Sequence, residues 1–332
     1  MSGHLASDTA ILSTGGLLAW APLGNGARAP ILLAPMTAPG AARFAPHALM
    51  TAMIAIWGGS YAVVKVSLDS LSPFAVIALR FWISVLCLLP FVRRRTLAEL
   101  GQTWKLGLAA GFVLGLGYLL QTVGMNGTTA SMGGFLAGLI VPLVALGGFV
   151  VFRTRFGAGS IAGLLLGIAG ITLLCWPGGE ETGKQDTPLG IGLQLGSSAS
   201  YAVHILTLSR FGKGLPTVAF CLWQLTFVAI AATVAGFVEG NFAAVGTAGV
   251  TWTPQLILLT AYLGVLATAL GIGVQSKVQH RVPSTHLALL FALQPLFAAL
   301  FGWLTIGDQM SSMQMLGGAL IVVGVIVTSL DG

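Results

Sequence analysis

The chain is written twice. Ser60-Tyr61-Ala62-Val63 recurs as Ser200-Tyr201-Ala202-Val203, each followed by a proline that opens the next apolar stretch, Pro73 and Pro216. Pro142 answers Pro295, and Gly111 answers Gly264 at the same offset of 153 residues. Apolar stretches of spanning length, about 20 residues, run approximately over 47–68, 73–92, 104–124, 128–151 and 158–176, then over 189–209, 216–238, 254–276, 284–306 and 313–330. Five stretches in each copy are an odd number, so the copies must cross a bilayer in opposite directions.

The expected fold is therefore an all-α membrane protein of ten transmembrane helices, arranged as two inverted five-helix repeats. Composition agrees: charged residues make up 7% of the chain and 46 of 332 residues are glycine, against about 25% and about 7% in soluble domains. So little charge cannot cover a soluble domain of this size. The glycines suit close helix approach in lipid. Cys87, Cys175 and Cys221 all lie inside apolar runs and read as small buried hydrophobes, with no disulfide or metal spacing.

Residues 1–46 stand apart. Pro22, Pro30, Pro35 and Pro39 interrupt their apolar patches too often for a spanning helix, and no basic region precedes the first patch as a signal peptide requires. A mostly disordered tail, or a start codon placed upstream, is expected here. The first repeat follows over 47–176, an extracytoplasmic linker over 177–188 and the second repeat over 189–332.

Basic residues orient the spans, because cytoplasmic loops are rich in Lys and Arg. One set of connections carries Arg93, Arg94, Arg95, Lys105, Arg153, Arg155, Arg210, Lys213, Lys277 and Arg281; with Arg28 and Arg43 of the tail, this side holds 12 of the 15 basic residues. The other side carries Asp69, Glu180, Glu181, Asp186, Glu239 and Asp308. Both termini are thus expected in the cytoplasm, with the protein in the cell (inner) membrane. The net positive charge belongs to that face, and no nucleic-acid partner is implied.

Ile56-Trp57-Gly58-Gly59-Ser60-Tyr61 through Lys65, Pro73, Arg80-Phe81, Thr129-Ala130-Ser131, Ala261-Tyr262-Leu263-Gly264, Gln294-Pro295 with Gly307-Asp308, and Leu316-Gly317-Gly318-Ala319-Leu320 occur in that order. This series resembles the EamA-type members of the drug/metabolite transporter superfamily over about 47–330. The resemblance implies a transporter, most simply an exporter of amino acids or related small metabolites. Organic anions or drugs are the other substrate classes it allows. One departure is Asp308, where such proteins often end the ninth span in Gly-Glu; a structural role in capping or loop pairing is expected for it.

None of the nine acidic residues falls inside an apolar stretch. A buried carboxylate is the usual partner of a cationic drug or a coupling proton, so exchange of lipophilic cations is disfavoured. What the stretches do hold is basic and amphipathic. Arg80 lies roughly 10 Å along its helix from Pro73 at 1.5 Å per residue. It reads either as part of a positive vestibule for a carboxylate or phosphate, or as a tie between helix ends through backbone carbonyls or Asp69. Lys65 shares the vestibule reading, and its plain alternative is to snorkel and mark the membrane interface.

Better placed for a pocket are Trp57, Ser60 and Tyr61 on the first helix, Tyr118 and Gln121 on the third, Ser197, Tyr201 and His204 on the sixth, and His286 and Gln294 on the ninth. Aromatics with a few polar groups suit a small, partly apolar solute; ordinary packing is the plain alternative for each, and the expected one for Met132, Phe135 and Phe291. His204 or His286 could take up a coupling proton or simply bond between helices. Pro142 and Pro295 would each free a carbonyl inside a span, kinking two equivalent helices around a central cavity. Where the copies differ, Val64 faces His204 and Arg80 faces Trp223.

An intramembrane enzyme or receptor is the alternative reading. Ser197-Ser198 beside His204 is the nearest approach to a nucleophile and base, and it has no carboxylate partner. Neither cofactor nor metal is expected. The expected partners are a small-molecule substrate, the lipid bilayer and a coupling proton, in a monomer or weak homodimer.

Overall fold

A computed structural model of the chain describes residues 10–11, 17–22, 28–33, 41–152, 157–174, 186–212, 214–238, 250–278, 290–291, 293–308 and 310–330. They fall into two units, Met1–Ala48 and Leu49–Gly332.

In the first unit, three short strands, β1 (Ala10–Ile11), β2 (Leu17–Pro22) and β3 (Arg28–Leu33), pair antiparallel in sequence order. The sequence leads one to expect mostly disorder here. Its prolines forbid a helix but fit this sheet: Pro30 sits on the edge strand β3 and Pro22 ends β2, positions where a missing N–H costs least.

Every regular element described in the second unit is helical. The helices are α1 (Ala41–Ser67, entering from the first unit), α2 (Pro73–Leu88), α3 (Arg94–Gly124), α4 (Ala130–Ala137), α5 (Ile140–Phe152), α6 (Ala158–Leu174) and α7 (Pro188–Phe211). They continue with α8 (Thr217–Val238), α9 (Pro254–Ala261), a π-helical segment (Tyr262–Leu270), α10 (Gly271–Val278), α11 (Gln294–Ile306) and α12 (Ser312–Leu330). Six stretches among the described residues are long and apolar enough to cross a membrane: Pro46–Ser67, Pro73–Phe91, Arg94–Gly127, Ala130–Gly148, Thr217–Val238 and Pro254–Ser276. At 24 residues α7 is as long as these, but its buried Gln194, Ser197, Ser198, Ser200 and His204 make it too polar to be counted with them.

The helix starts share one local device. Ser72, Thr187 and Thr253 each precede a proline and accept a hydrogen bond from a backbone N–H in the first turn, of Ala75, Gly190 and Leu256 respectively. A hydroxyl N-cap supplies a partner for an orphan donor, and proline at N1 forgoes a bond that the helix does not need.

Two elements depart from simple spans. The fourth apolar stretch breaks at Gly138–Leu139, so α4 ends and α5 restarts. The eighth widens into π-helix, where the Thr268 hydroxyl donates back to the Leu263 carbonyl at 2.8 Å. π turns are uncommon and concentrate at functional sites.

Helices meet through small residues. A Cβ on Gly170 would stand 2.6 Å from the Gly317 carbonyl oxygen, and one on Gly324 2.7 Å from that of Gly163. The last helices of the two repeats, α6 and α12, therefore touch backbone to backbone. Without a hydrophobic driving force between apolar helices in lipid, such close packing is what holds them. A Cβ on Gly134 would meet the Ala298 Cβ at 2.1 Å, which joins α4 to α11 in the same way.

Candidate substrate-binding site

Trp57, Ser60 and Tyr61 of α1, Arg80 of α2, Tyr118 and Gln121 of α3, Tyr201 and His204 of α7, and Gln294 of α11 line one cavity. Of the residues singled out in the sequence, Ser197 is buried on α7 but does not line it. His286 lies outside the described residues. Gln275, absent from the expected set, is on the wall with Leu114, Ile140, Ile205 and Ile272. A single amide near the end of an apolar run was a usable signal for it. Phe291, expected to be packing, also faces the cavity, its ring stacked on Trp57 with centroids 6.1 Å apart. Met132 and Phe135 lie in a separate apolar core.

The polar groups hold one another in place. Arg80 is 3% exposed; its Nε donates to the Thr268 hydroxyl at 2.5 Å, and Nη2 reaches the Tyr118 hydroxyl at 3.3 Å. The guanidinium carbon also lies 4.5 Å from the centre of the Tyr118 ring. That ring is edge-on to Phe81 and to Tyr201, and the Tyr201 hydroxyl donates to Gln121 Oε1 at 2.9 Å. Trp57 Nε1 donates to the Ala267 carbonyl in the π segment at 2.7 Å. The Ser60 hydroxyl is spent on its own helix, at the Trp57 carbonyl. His204 Nε2 meets Gln224 Oε1 at 2.7 Å, and Gln224 Nε2 is buried without a partner among the described residues.

The tie between Arg80 and Asp69, open in the sequence, is not made. Among the described residues Arg80 has no carboxylate partner. Lys65 takes the structural role instead, donating to the carbonyls of Met125 and Thr128 between α3 and α4. Asp308 caps α4 by accepting from the Ser131 N–H at 2.8 Å, after the left-handed Gly307 (φ 65°) turns the chain out of α11. Asp186 accepts from the Thr129 N–H at the same helix end.

Neither proline lies in the interior of a described helix. Pro142 stands in the first turn of α5 just after the break, and Pro295 in the first turn of α11. The carbonyl of Gly138, which Pro142 cannot use, accepts from Val141 at 3.3 Å. A restart lets proline sit where its missing N–H is harmless. The two sites also meet: a Cβ on Gly138 would be 3.0 Å from Pro295 Cγ.

The profile of the EamA-like transporter family matches residues 46–176 and matches again over residues 188–330. The chain belongs to this family. As an EamA-like protein it is a multi-pass membrane transporter. An uncharacterized transporter of Archaeoglobus fulgidus is 28% identical over 83% of this chain and 82% of its own length. An Escherichia coli protein named "Probable amino-acid metabolite efflux pump" is 24% identical over 83% of this chain and 91% of its own. A solved crystal structure, 19% identical, shares the fold with a TM-score of 0.62 over 85% of this chain and 96% of that one.

Proposed function

We propose that this EamA-like protein exports amino acids or related small metabolites across the cell membrane, with the substrate held in the cavity between its two halves. The observation that carries the reading is the cavity wall. Both copies contribute to it: Tyr61 of α1 and its repeat counterpart Tyr201 of α7 line it, with Trp57 and Ser60 from the first copy and His204 from the second. A site shared by two repeats near mid-membrane is the arrangement of alternating-access carriers. The E. coli relative's name points to the same substrate class.

In this reading ten helices form two inverted five-helix repeats, with both termini in the cytoplasm. The breaks before Pro142 and Pro295 are the hinges about which the halves rock. His204, buried beside the cavity and bonded to Gln224, is the group for a coupling proton if transport uses one. Against the enzyme reading, Ser198 of the Ser197-Ser198 pair bonds to the carbonyls of Leu136 and Gln194, which supports a structural role for it.

Purified protein in liposomes, loaded with unlabelled amino acids and scored for counterflow of radiolabelled ones, tests the proposal. Accumulation of label that depends on the internal amino acid is the expected result. Its absence for every amino acid and related metabolite tried would reject the reading.

A further inference from the structure

The geometry points to a carboxylate receptor at Arg80, serving solutes that carry one carboxylate on an apolar or aromatic body and need no ammonium group. The inference rests on the cavity being the substrate site. A guanidinium that is 3% exposed has lost most of its water, and a buried charge is tolerated only when something replaces that water. Thr268 and Tyr118 are both neutral, and no carboxylate reaches Arg80 among the described residues. The cavity that Arg80 lines is the place from which a solute can supply the compensating charge.

The side chain is positioned in advance. Nε is held by Thr268 and one Nη by Tyr118, while the Tyr118 face supports the plane. The planar group can then meet a carboxylate edge-on, the arrangement in which arginine binds most strongly.

Elsewhere on the wall the chemistry is apolar or neutral. Trp57 and Phe291 stack to form an aromatic surface, and Ile140, Ile205 and Ile272 add aliphatic ones. No described lining residue is acidic. Of the described acids, Glu99 pairs with Arg95, Asp186 and Asp308 bond to the start of α4, and Asp69 is exposed in the turn after α1; none of the four lines the cavity. A zwitterion would thus bring an ammonium with no anionic partner on the wall. Removing that ammonium should not weaken binding.

Three probes of similar size separate the alternatives: 3-phenylpropionate, phenylalanine and phenethylamine, with 3-phenylpropionamide as a neutral match for the first. Binding to the detergent-solubilised wild-type protein, followed by thermal shift and by displacement of labelled 3-phenylpropionate, should rank the carboxylate at least level with the zwitterion. The amine and the amide should bind at least about tenfold more weakly, the scale of one lost hydrogen bond to a charged group. Arg80→Gln should lower affinity for both carboxylates at least about tenfold, with Arg80→Lys between. The ranking in the wild-type protein decides the matter even where Arg80→Gln fails to fold. Equal binding of amide and carboxylate, or tighter binding of the amine, would overturn the inference. Carboxylate binding without counterflow would uphold the site and reject the transport reading; amino-acid counterflow with phenethylamine bound as well as 3-phenylpropionate would do the reverse.

Discussion

Arg80 of α2 and Gln224 of α8 occupy equivalent places in the two halves. Gly264 packs on the Arg80 carbonyl and Ile83, while its counterpart Gly111 packs on the Gln224 carbonyl and Phe227. Counting from Pro73 and Pro216 pairs Arg80 with Trp223, one residue away. The helices correct that count, since α2 begins at Pro73 and α8 one position after its proline, at Thr217. Trp223 instead points to α3, where its Nε1 donates to the Leu100 carbonyl and its side chain packs on Gly107.

This register predicts opposite outcomes for the two neighbours. Gln224→Leu leaves buried His204 without its partner and should cost about 1–3 kcal/mol, together with a change in substrate affinity. Trp223→Phe, which loses one bond to a carbonyl, should lower stability by about 0.5–1.5 kcal/mol and leave affinity alone. Thermal unfolding and ligand binding on both variants test this; an affinity effect confined to Trp223 would refute the equivalence.

The contact between Gly134 and Ala298 predicts a rescue. Gly134→Ala forces two Cβ atoms toward the same space and should destabilise by about 1–3 kcal/mol, as overpacking does. Adding Ala298→Gly should recover most of the loss. A double variant no more stable than Gly134→Ala alone would mean that α4 and α11 do not approach this closely.

Pro142 and Pro295 stand in first turns, so replacing them removes no needed constraint on the helix. Pro142→Ala with Pro295→Ala should therefore leave unfolding temperature nearly unchanged, yet slow counterflow by extending α5 and α11 back across the breaks. Counterflow at the wild-type rate would discount the breaks as hinges.

Asp186, outside the spans, has its carboxyl raised above the ordinary range, first by burial and then by Asp308 beside it, against the lowering effect of the Thr129 N–H. A carboxyl raised in the folded state holds its proton more tightly there. Its stabilising contribution is present below the unfolded value of about 4 and is lost as pH rises through the folded value. Asp186→Asn, which can still accept from Thr129, should unfold at a higher temperature than wild type at neutral pH, and the gap should close on acidification. A gap that widens on acidification would show the opposite sign.

Much of the wall was legible because polar side chains are scarce in apolar runs. Trp57, Tyr61, Tyr118, Gln121, Tyr201, His204 and Gln294 all reach the cavity from positions visible in the sequence. Phe291 and the isoleucines were not legible, since an apolar residue in an apolar helix carries no mark of which way it faces. Ser197 shared a helical face with Tyr201 and His204, yet burial between helices took it off the wall.

Hydropathy, duplication and the family motifs are local properties, and they determined the membrane class, the repeat and the kinds of residue available to a site. The tertiary structure decided which charges are compensated. Lys65 found carbonyls and Asp308 found the start of α4, while Arg80 met only hydroxyls. Those outcomes depend on helices far apart in sequence meeting at a few ångströms, and the cost of an unpaired charge depends on the dielectric and partners around it. No periodicity along a single helix contains that information.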